Sequence, residues 1–247
     1  MNSNNKTILV TGGTSGIGKA TVSLFARAGA TVGVNHIGQH ESFIKLEKEL
    51  AEAPGKLIEL EANVTDASQI RIAVDTLLSA TNRLDVLVNN AGISLIKPFL
   101  KITEEEWDHV VDTDLKSVFL CCQAAIPELL KTHGAIVNIA SELAISGRAK
   151  FAPYTAAKGG IMSLTRSLAR EFAPTLRVNA VAPGPTSTPM LAAEAAVPGH
   201  SESTEDIPMG RYADPLEIAN SIVFLASEHA GYFCGDILSP NGGAVMR

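Results

Sequence analysis

The chain has 247 residues, enough for one large α/β domain or two small ones. Hydrophobic residues make up 46% of it and charged residues 19%, which excludes a disordered or low-complexity chain. The formal net charge of −6 argues against nucleic acid or an anionic membrane as the main partner, because both reward a basic surface.

The opening residues MNSNNK lack the apolar stretch of a signal peptide, and no apolar run reaches transmembrane length. Thr7–Thr11 reads as a buried strand, followed by glycines and an amphipathic helix ending near Gly29. Thr31–Asn35 repeats the strand pattern and Glu41–Ala53 the helical one. Lys56–Glu61, Ala67–Ala80 and Leu84–Asn89 then continue as strand, helix and strand. Thr103–Glu106 has capping-box form and opens a long helical segment, expected to be interrupted or kinked around Pro127. Cys121 and Cys122 are adjacent and Cys234 stands alone. Such an odd set suits small buried apolar residues in a reducing cytosol better than a disulfide framework, so a cytoplasmic location is expected. Ala135–Ala140 and Leu176–Ala182 are later strands, each beside a helical stretch. Pro185–Asp214 is rich in Pro, Ser, Thr and Gly, with a short helical patch around Met190–Ala196. A long irregular stretch of this kind is more often a lid than a linker.

Strands alternating with helices of this length imply βαβ units and a parallel sheet covered on both faces. Right-handed crossovers then lead to a Rossmann-type doubly wound sheet of about seven strands. No linker, repeat or composition shift splits the chain, so one domain over 1–247 is expected, with a substrate lid at 185–214.

Between the first strand and the first helix lies Thr11-Gly12-Gly13-Thr14-Ser15-Gly16-Ile17-Gly18. Glycines let the backbone turn tightly and approach a pyrophosphate, and the helix that follows offers free N–H groups and a positive dipole end. The spacing is G-x-x-x-G-x-G, which differs from the G-x-G-x-x-G fingerprint. An ordinary Gly-rich turn would read the same; the position directly after the first strand of a βαβ series favours the phosphate cradle.

Tyr154 and Lys158 are four apart at the start of a strongly periodic helical segment, so phenol and ammonium share one face. A free phenol has a pKa of about 10, and a neighbouring cation stabilises the phenolate. Tyr154 is therefore a candidate to take a proton from an alcohol, or to give one to a ketone. Ser141 ends the strand Ala135–Ala140, where the carboxyl ends of parallel strands line a ligand crevice; its hydroxyl is placed to hold the substrate oxygen. Each residue is common taken singly. Their combination with the glycine turn is far more specific.

With these residues together, the whole chain resembles the short-chain dehydrogenase/reductase family. The glycine motif of that family maps onto Thr11–Gly18, its N-N-A-G motif onto Asn89-Asn90-Ala91-Gly92, and its serine stands thirteen residues before its tyrosine, as Ser141 does before Tyr154. Its Y-x-x-x-K is Tyr154–Lys158, and its P-G segment is Pro183-Gly184. Gly235–Gly243 is similar to its last strand and Gly-Gly ending. The resemblance implies an NAD(P)-dependent oxidoreductase that moves a hydride between nicotinamide and a ketone or secondary alcohol. It also implies that Tyr154 is the general acid/base, and that Ser141, Lys158 and Asp114 complete the catalytic group. Cofactor contacts are implied at Gly12, Thr14, Ser15, Gly16, Ile17 and Gly18 in the turn. Further contacts are implied at His36, Asn63 and Val64 towards the adenosine, and at Asn90, Ala91 and Gly92 in the next loop. Tyr154, Lys158, Pro183, Gly184 and Thr186 or Thr188 are implied at the nicotinamide end. The similar members are 3-oxoacyl-thioester reductases and small polyol or sugar dehydrogenases, commonly homotetramers.

Three positions depart from the family pattern. Asp114 stands where an active-site asparagine is usual, at a helix kink, and it is an acceptor-only side chain. Asn63 replaces an adenine-contacting aspartate, and its amide oxygen still accepts. His36, followed by Ile37, replaces the cofactor-selecting acid after the second strand. With no carboxylate there to repel a 2′-phosphate, NADP(H) is favoured over NAD(H), and both stay open.

Other signals carry less. His36 and His40 have i,i+4 spacing but straddle a loop without an obvious third ligand, so no metal site is expected. Trp107 and Phe119 read as packing, and Glu104–Glu106 as helix capping. Arg148, Lys150, Lys97 and Arg211 either attract an anionic substrate or are ordinary surface charges. Met190, Leu191 and Met209 either line an apolar pocket or pack the lid. A regulatory or scaffold protein that binds cofactor with reduced activity is the alternative from another class, favoured only by Asp114. An isomerase or dehydratase that reuses the site is a third.

Overall fold

The computed structural model describes residues 3, 5–198 and 203–246. Its strands are β1 (Thr7–Val10), β2 (Thr31–His36), β3 (Lys56–Glu61), β4 (Val86–Asn89), β5 (Ala135–Ile139), β6 (Arg177–Val181) and β7 (Ile237–Leu238). The helices are α1 (Gly16–Arg27), α2 (His40–Glu49), α3 (Ala67–Thr81), α4 (Glu104–Val111), α5 (Ser117–Thr132), α6 (Leu143–Ser146), α7 (Ala152–Phe172), α8 (Pro189–Ala195) and α9 (Pro215–Ala226). The strands form one sheet in the order β3-β2-β1-β4-β5-β6-β7, every neighbouring pair parallel. The chain starts in the middle, builds outward through β3, then returns past β1 and builds the other way. This is the Rossmann-type doubly wound sheet that the alternation of elements predicts.

Side chains alternate across each strand, and both faces are buried, so the central strands read as continuous apolar runs. Ile8, Val10, Val86, Val88, Val137 and Ile139 point to one face. There they meet Val22 and Phe25 of α1, Phe43 and Leu46 of α2, and Ile218 and Ile222 of α9. Leu9, Leu87 and Ile136 point the other way, against Ile70 and Leu77 of α3, Val118 and Leu129 of α5, and Ile161 of α7.

Several elements are shorter than the apolar pattern predicts. Leu84 is fully buried yet precedes β4, because burial and ladder pairing are separate signals. Helix α2 stops at Glu49 rather than Ala53; Pro54 disfavours helical geometry in the residue before it. The Thr103–Glu106 capping box is present with both its hydrogen bonds. The interruption expected around Pro127 is elsewhere. α5 runs through Pro127, and the regular helix loosens instead into a π-turn at Asp112–Lys116. A missing N–H at Pro127 removes one hydrogen bond, whereas the π-turn rotates Asp114 inward to full burial.

Within 185–214, Thr188 caps α8 and Thr186 pairs with Ala213, while residues 199–202 lie outside the described residues. Among the described residues no helix is long and apolar enough to cross a membrane. Cys121 and Cys122 are buried in α5 and Cys234 is exposed; all three are free thiols.

Candidate active site

A cavity of about 600 Å³ opens at the carboxyl ends of the strands, where the sheet order reverses between β1 and β4. Parallel sheets bind ligands at such switch points. The turn after β1 forms one wall. Gly12 has φ +61°, and a Cβ on Gly18 would lie 2.2 Å from the Gly12 carbonyl oxygen, so neither position accepts a side chain. Ser15 is the N-cap of α1 but makes no side-chain capping bond. The first N–H groups of α1, at the cavity wall formed by Gly16 and Ile17, are left for an anionic ligand. Thr14 and Gly18 do not line the cavity. Thr14 hydrogen-bonds Gln39, and Gly18 lets α1 pack against the turn.

Thr11 and Asn90 fix this turn to β4. Thr11 Oγ1 accepts from the N–H groups of Asn90 and Ala91 at 2.9 and 3.0 Å. Asn90 Nδ2 donates to the carbonyls of Thr11 and Gly12. Below them Asn89 Nδ2 donates to Asn138 Oδ1 at 2.8 Å, and Asn138 Nδ2 to Thr165 Oγ1 at 2.9 Å. Asn138 and Thr165 carry no motif in the sequence; the register of β4 on β5 sets Asn138 beside Asn89, and the packing of α7 brings Thr165 to Asn138.

His36, Ile37, Asn63 and Val64 line the far end of the cavity. The His36 ring is committed elsewhere: Nε2 meets Glu59 at 2.8 Å, and Nδ1 accepts from the Gln39 N–H at 3.3 Å. The His40 ring meets the same Glu59 oxygen at 2.7 Å, and hydrogen bonding to Glu59 raises the His40 pKa. Asn63 Oδ1, the acceptor expected to face an adenine, already accepts from Thr65 N and Oγ1 at 3.0 and 2.9 Å.

Ser141, Tyr154, Lys158, Pro183, Gly184, Thr186 and Thr188 surround the near end. One turn of α7 separates Tyr154 from Lys158, whose ammonium lies 5.5 Å from the phenol ring centre. The Ser141 and Tyr154 side chains are hydrogen-bonded, and Ser141 Oγ accepts from Leu143 N at 3.1 Å. Lys158 Nζ donates to the Ile139 carbonyl at 3.1 Å and lies 3.2 Å from Asp114 Oδ2. That contact is an ion pair without hydrogen-bond alignment, since Oδ2 has no aligned donor among the described residues. Asp114 Oδ1 accepts from Ile93 N at 2.8 Å.

Burial raises the Asp114 pKa against the pull of Lys158. Burial opposes the Lys158 charge, but Asp114 and Tyr154 outweigh it and raise the Lys158 pKa, so the lysine is a firm cation. The Tyr154 phenol corrects an expectation. Lys158 and Ser141 do favour phenolate, but burial, reinforced by Asp114, pushes the pKa above its ordinary value.

Of the four basic residues considered for anion attraction, only Arg148 lines this cavity, its guanidinium 5.1 Å from the Phe151 ring centre. Lys97 is paired with Glu106, and Arg211 with Glu217 beside a smaller pocket. The Lys150 carbonyl accepts from Lys97 N. Met190 and Leu191 line the cavity, whereas Met209 is exposed and Phe119 half-exposed. Sequence reasoning missed Glu142, a cavity-lining carboxyl beside Ser141. Its place after the strand end was the available signal.

The shape suits a dinucleotide. A glycine cradle and uncapped helix start occupy the middle, amide and imidazole groups one end, and hydroxyl and ammonium groups the other.

The family model describing enoyl-(acyl carrier protein) reductase matches residues 12–245. A 3-oxoacyl-[acyl-carrier-protein] reductase of Thermotoga maritima is 41% identical over 245 residues, covering 98% of each chain. Among solved structures, a short-chain dehydrogenase/reductase of Brucella melitensis described as a glucose/ribitol dehydrogenase superposes with TM-score 0.92 at 33% identity. That match covers 99% of this chain and 98% of the other. Levodione reductase superposes with TM-score 0.92 at 31% identity over 97% of each chain.

Proposed function

Because this chain belongs to the short-chain dehydrogenase/reductase family and is an NAD(P)-dependent oxidoreductase of ketones and secondary alcohols, we propose that Tyr154, Ser141 and Lys158 carry its chemistry. A bound nicotinamide supplies or accepts the hydride. Ser141 holds the substrate oxygen, and Tyr154 gives its phenolic proton to a carbonyl oxygen as the alcohol forms. Lys158, fixed by Asp114 and the Ile139 carbonyl, keeps positive charge beside the phenol when the proton leaves. Asp114 therefore acts through Lys158 as a positioning residue. The observation that carries the reading is the convergence of the Ser141, Tyr154 and Lys158 side chains at one end of a dinucleotide-sized cavity.

Gly12, Ser15, Gly16 and Ile17 would hold the pyrophosphate, His36, Asn63 and Val64 the adenosine, and Asn90, Ala91 and Gly92 the middle of the cofactor. Pro183, Gly184, Thr186 and Thr188 would border the nicotinamide. We favour NADP(H), because His36 rather than a carboxylate ends β2. We take the chain as one cytoplasmic domain, with 185–214 covering the substrate end, assembled as a homotetramer.

The test is oxidation of NADPH and NADH against acetoacetyl thioesters, diketones, simple ketones and sugars. Turnover of one class, lost in Tyr154→Phe by about 10³-fold or more with cofactor affinity retained, is expected. Substantial turnover by Tyr154→Phe would remove the phenol from its role.

A further inference from the structure

His36 lines the far end of the cavity, yet both of its ring nitrogens are engaged by the protein itself. Nδ1 accepts from the Gln39 N–H at 3.3 Å, so that nitrogen carries no proton. The ring's proton is therefore on Nε2, which donates to Glu59 Oε1 at 2.8 Å. The His36 side chain is fully buried, which keeps bulk water from this bond. Glu59 reaches it from β3, the edge strand. The register pairs His36 with Glu61, and side chains two apart on a strand share a face, so Glu59 stands on the His36 side.

The other side of the ring leads back to the glycine turn. Gln39 is the N-cap of α2 without a side-chain capping bond; its amide oxygen accepts from Thr14 Oγ1 instead. Thr14 is buried in the turn. Glu59, His36, Gln39 and Thr14 thus form an unbroken chain of hydrogen bonds from the edge of the sheet to the turn assigned to the pyrophosphate. Ile37 and Gln39, held by this chain, line the cavity, whereas Glu59 does not. A buried imidazole N–H without an acceptor is costly. Without the carboxylate the ring could move its proton to Nδ1, where it would oppose the Gln39 N–H and push that loop away.

We infer that Glu59 is a positioning residue for the cofactor: it fixes the His36 tautomer and, through Gln39 and Thr14, sets the wall that receives the adenosine. This rests on the assignment of the His36 end to the adenosine.

The test titrates the enzyme with NADPH and NADH, with ADP-ribose for the adenosine half, and with reduced nicotinamide mononucleotide for the other half. A misplacement of 1 Å in a site costs on the order of 10²-fold. Glu59→Leu is thus expected to weaken both dinucleotides and ADP-ribose by about tenfold, and to leave the mononucleotide unchanged. It should raise KM for the dinucleotide more than it lowers kcat. Glu59→Gln keeps an acceptor oxygen for Nε2 and is expected to retain most of the affinity. His40→Ala removes only the exposed second partner of Glu59, at 2.7 Å, and is expected to leave the affinity unchanged. Thr14→Val keeps the shape, breaks the last bond of the chain and is expected to reproduce part of the loss. Nitrogen NMR of the His36 ring gives a second readout: the proton is expected on Nε2 in the natural enzyme, and this pattern is expected to be lost in Glu59→Leu. A proton on Nδ1 in the natural enzyme, or unchanged ADP-ribose affinity in Glu59→Leu or Thr14→Val, overturns the inference. So does a loss as large in Glu59→Gln or His40→Ala. Weakened mononucleotide with unchanged ADP-ribose would overturn the placing of the adenosine at this end as well.

Discussion

Asp114 stands where the family resemblance implies an asparagine, and its carboxyl has two readable effects. It pairs with Lys158 and raises the pKa of both Lys158 and Tyr154. Replacing it by asparagine removes a negative charge that opposes phenolate. The rising limb of kcat/KM for alcohol oxidation in Asp114→Asn should therefore move to lower pH. A limb that stays or moves to higher pH would show that Asp114 does not act on the phenol. Glu142 makes a separate prediction about stability. Burial pushes its pKa up to about 7, only partly opposed by Arg148. An acid whose folded pKa lies above its unfolded one disfavours the fold once ionised. The penalty grows from about pH 4.5 to about 7 and is constant above. Glu142→Gln should thus raise the melting temperature more at pH 8 than at pH 5. An equal change at both pH values would contradict the raised pKa. Tyr154, Lys158 and Ser141 were legible because their spacing and position in the fold imply their chemistry. Glu142 was not singled out, although its place after Ser141 beyond the end of β5 marks it for the same crevice.

At the scale of elements, the turn between β1 and α1 is the least tolerant. Gly18 is the third residue of α1, and a Cβ there would lie 2.2 Å from the Gly12 carbonyl oxygen and 2.5 Å from Asn90 Nδ2, so even a methyl group must push the turn away from β4. Gly18→Ala should weaken dinucleotide binding by tenfold or more, on the order of the 10²-fold effect of a 1 Å displacement in a site. Fluorescence titration of NADPH measures it, and unchanged affinity would mean that the turn is not the pyrophosphate site. Both strand series and the capping box at Thr103 could be read from the sequence, since period, caps and glycines are local signals. The resemblance implied a kink at Asp114 but not the π-turn that makes it, and Pro127 drew a second expected break to a place where the helix runs on. A proline in a helix costs one backbone bond, and packing of Val118, Cys121, Cys122 and Leu129 into the core keeps α5 continuous through it. The extra residue of the π-turn has no compositional mark; its consequence is the inward carboxyl of Asp114.

For the whole molecule, the cavity gathers groups from strand ends that are far apart in sequence but adjacent in the sheet. Asn90 from the end of β4 ties down the turn after β1, while Ser141 from β5 and Pro183 from β6 face the same opening. Seating a dinucleotide there would join the β1–β3 half of the sheet to the β4–β7 half without changing either core. Ligand binding to the folded state alone stabilises by RT ln(1 + [L]/Kd), about 2.7 kcal/mol at a hundredfold excess over Kd. For a domain of this size each kcal/mol shifts the melting temperature by about 2–4 °C. NADPH at that excess should therefore raise it by about 5–11 °C in one cooperative transition. NADH at the same concentration should raise it less if the end of β2, which carries no carboxylate, accepts the 2′-phosphate. Equal shifts would remove the preference for NADP(H), and a larger shift with NADH would reverse it. A transition that split in two, with only one part responding, would show that the halves unfold separately and that the cavity does not couple them.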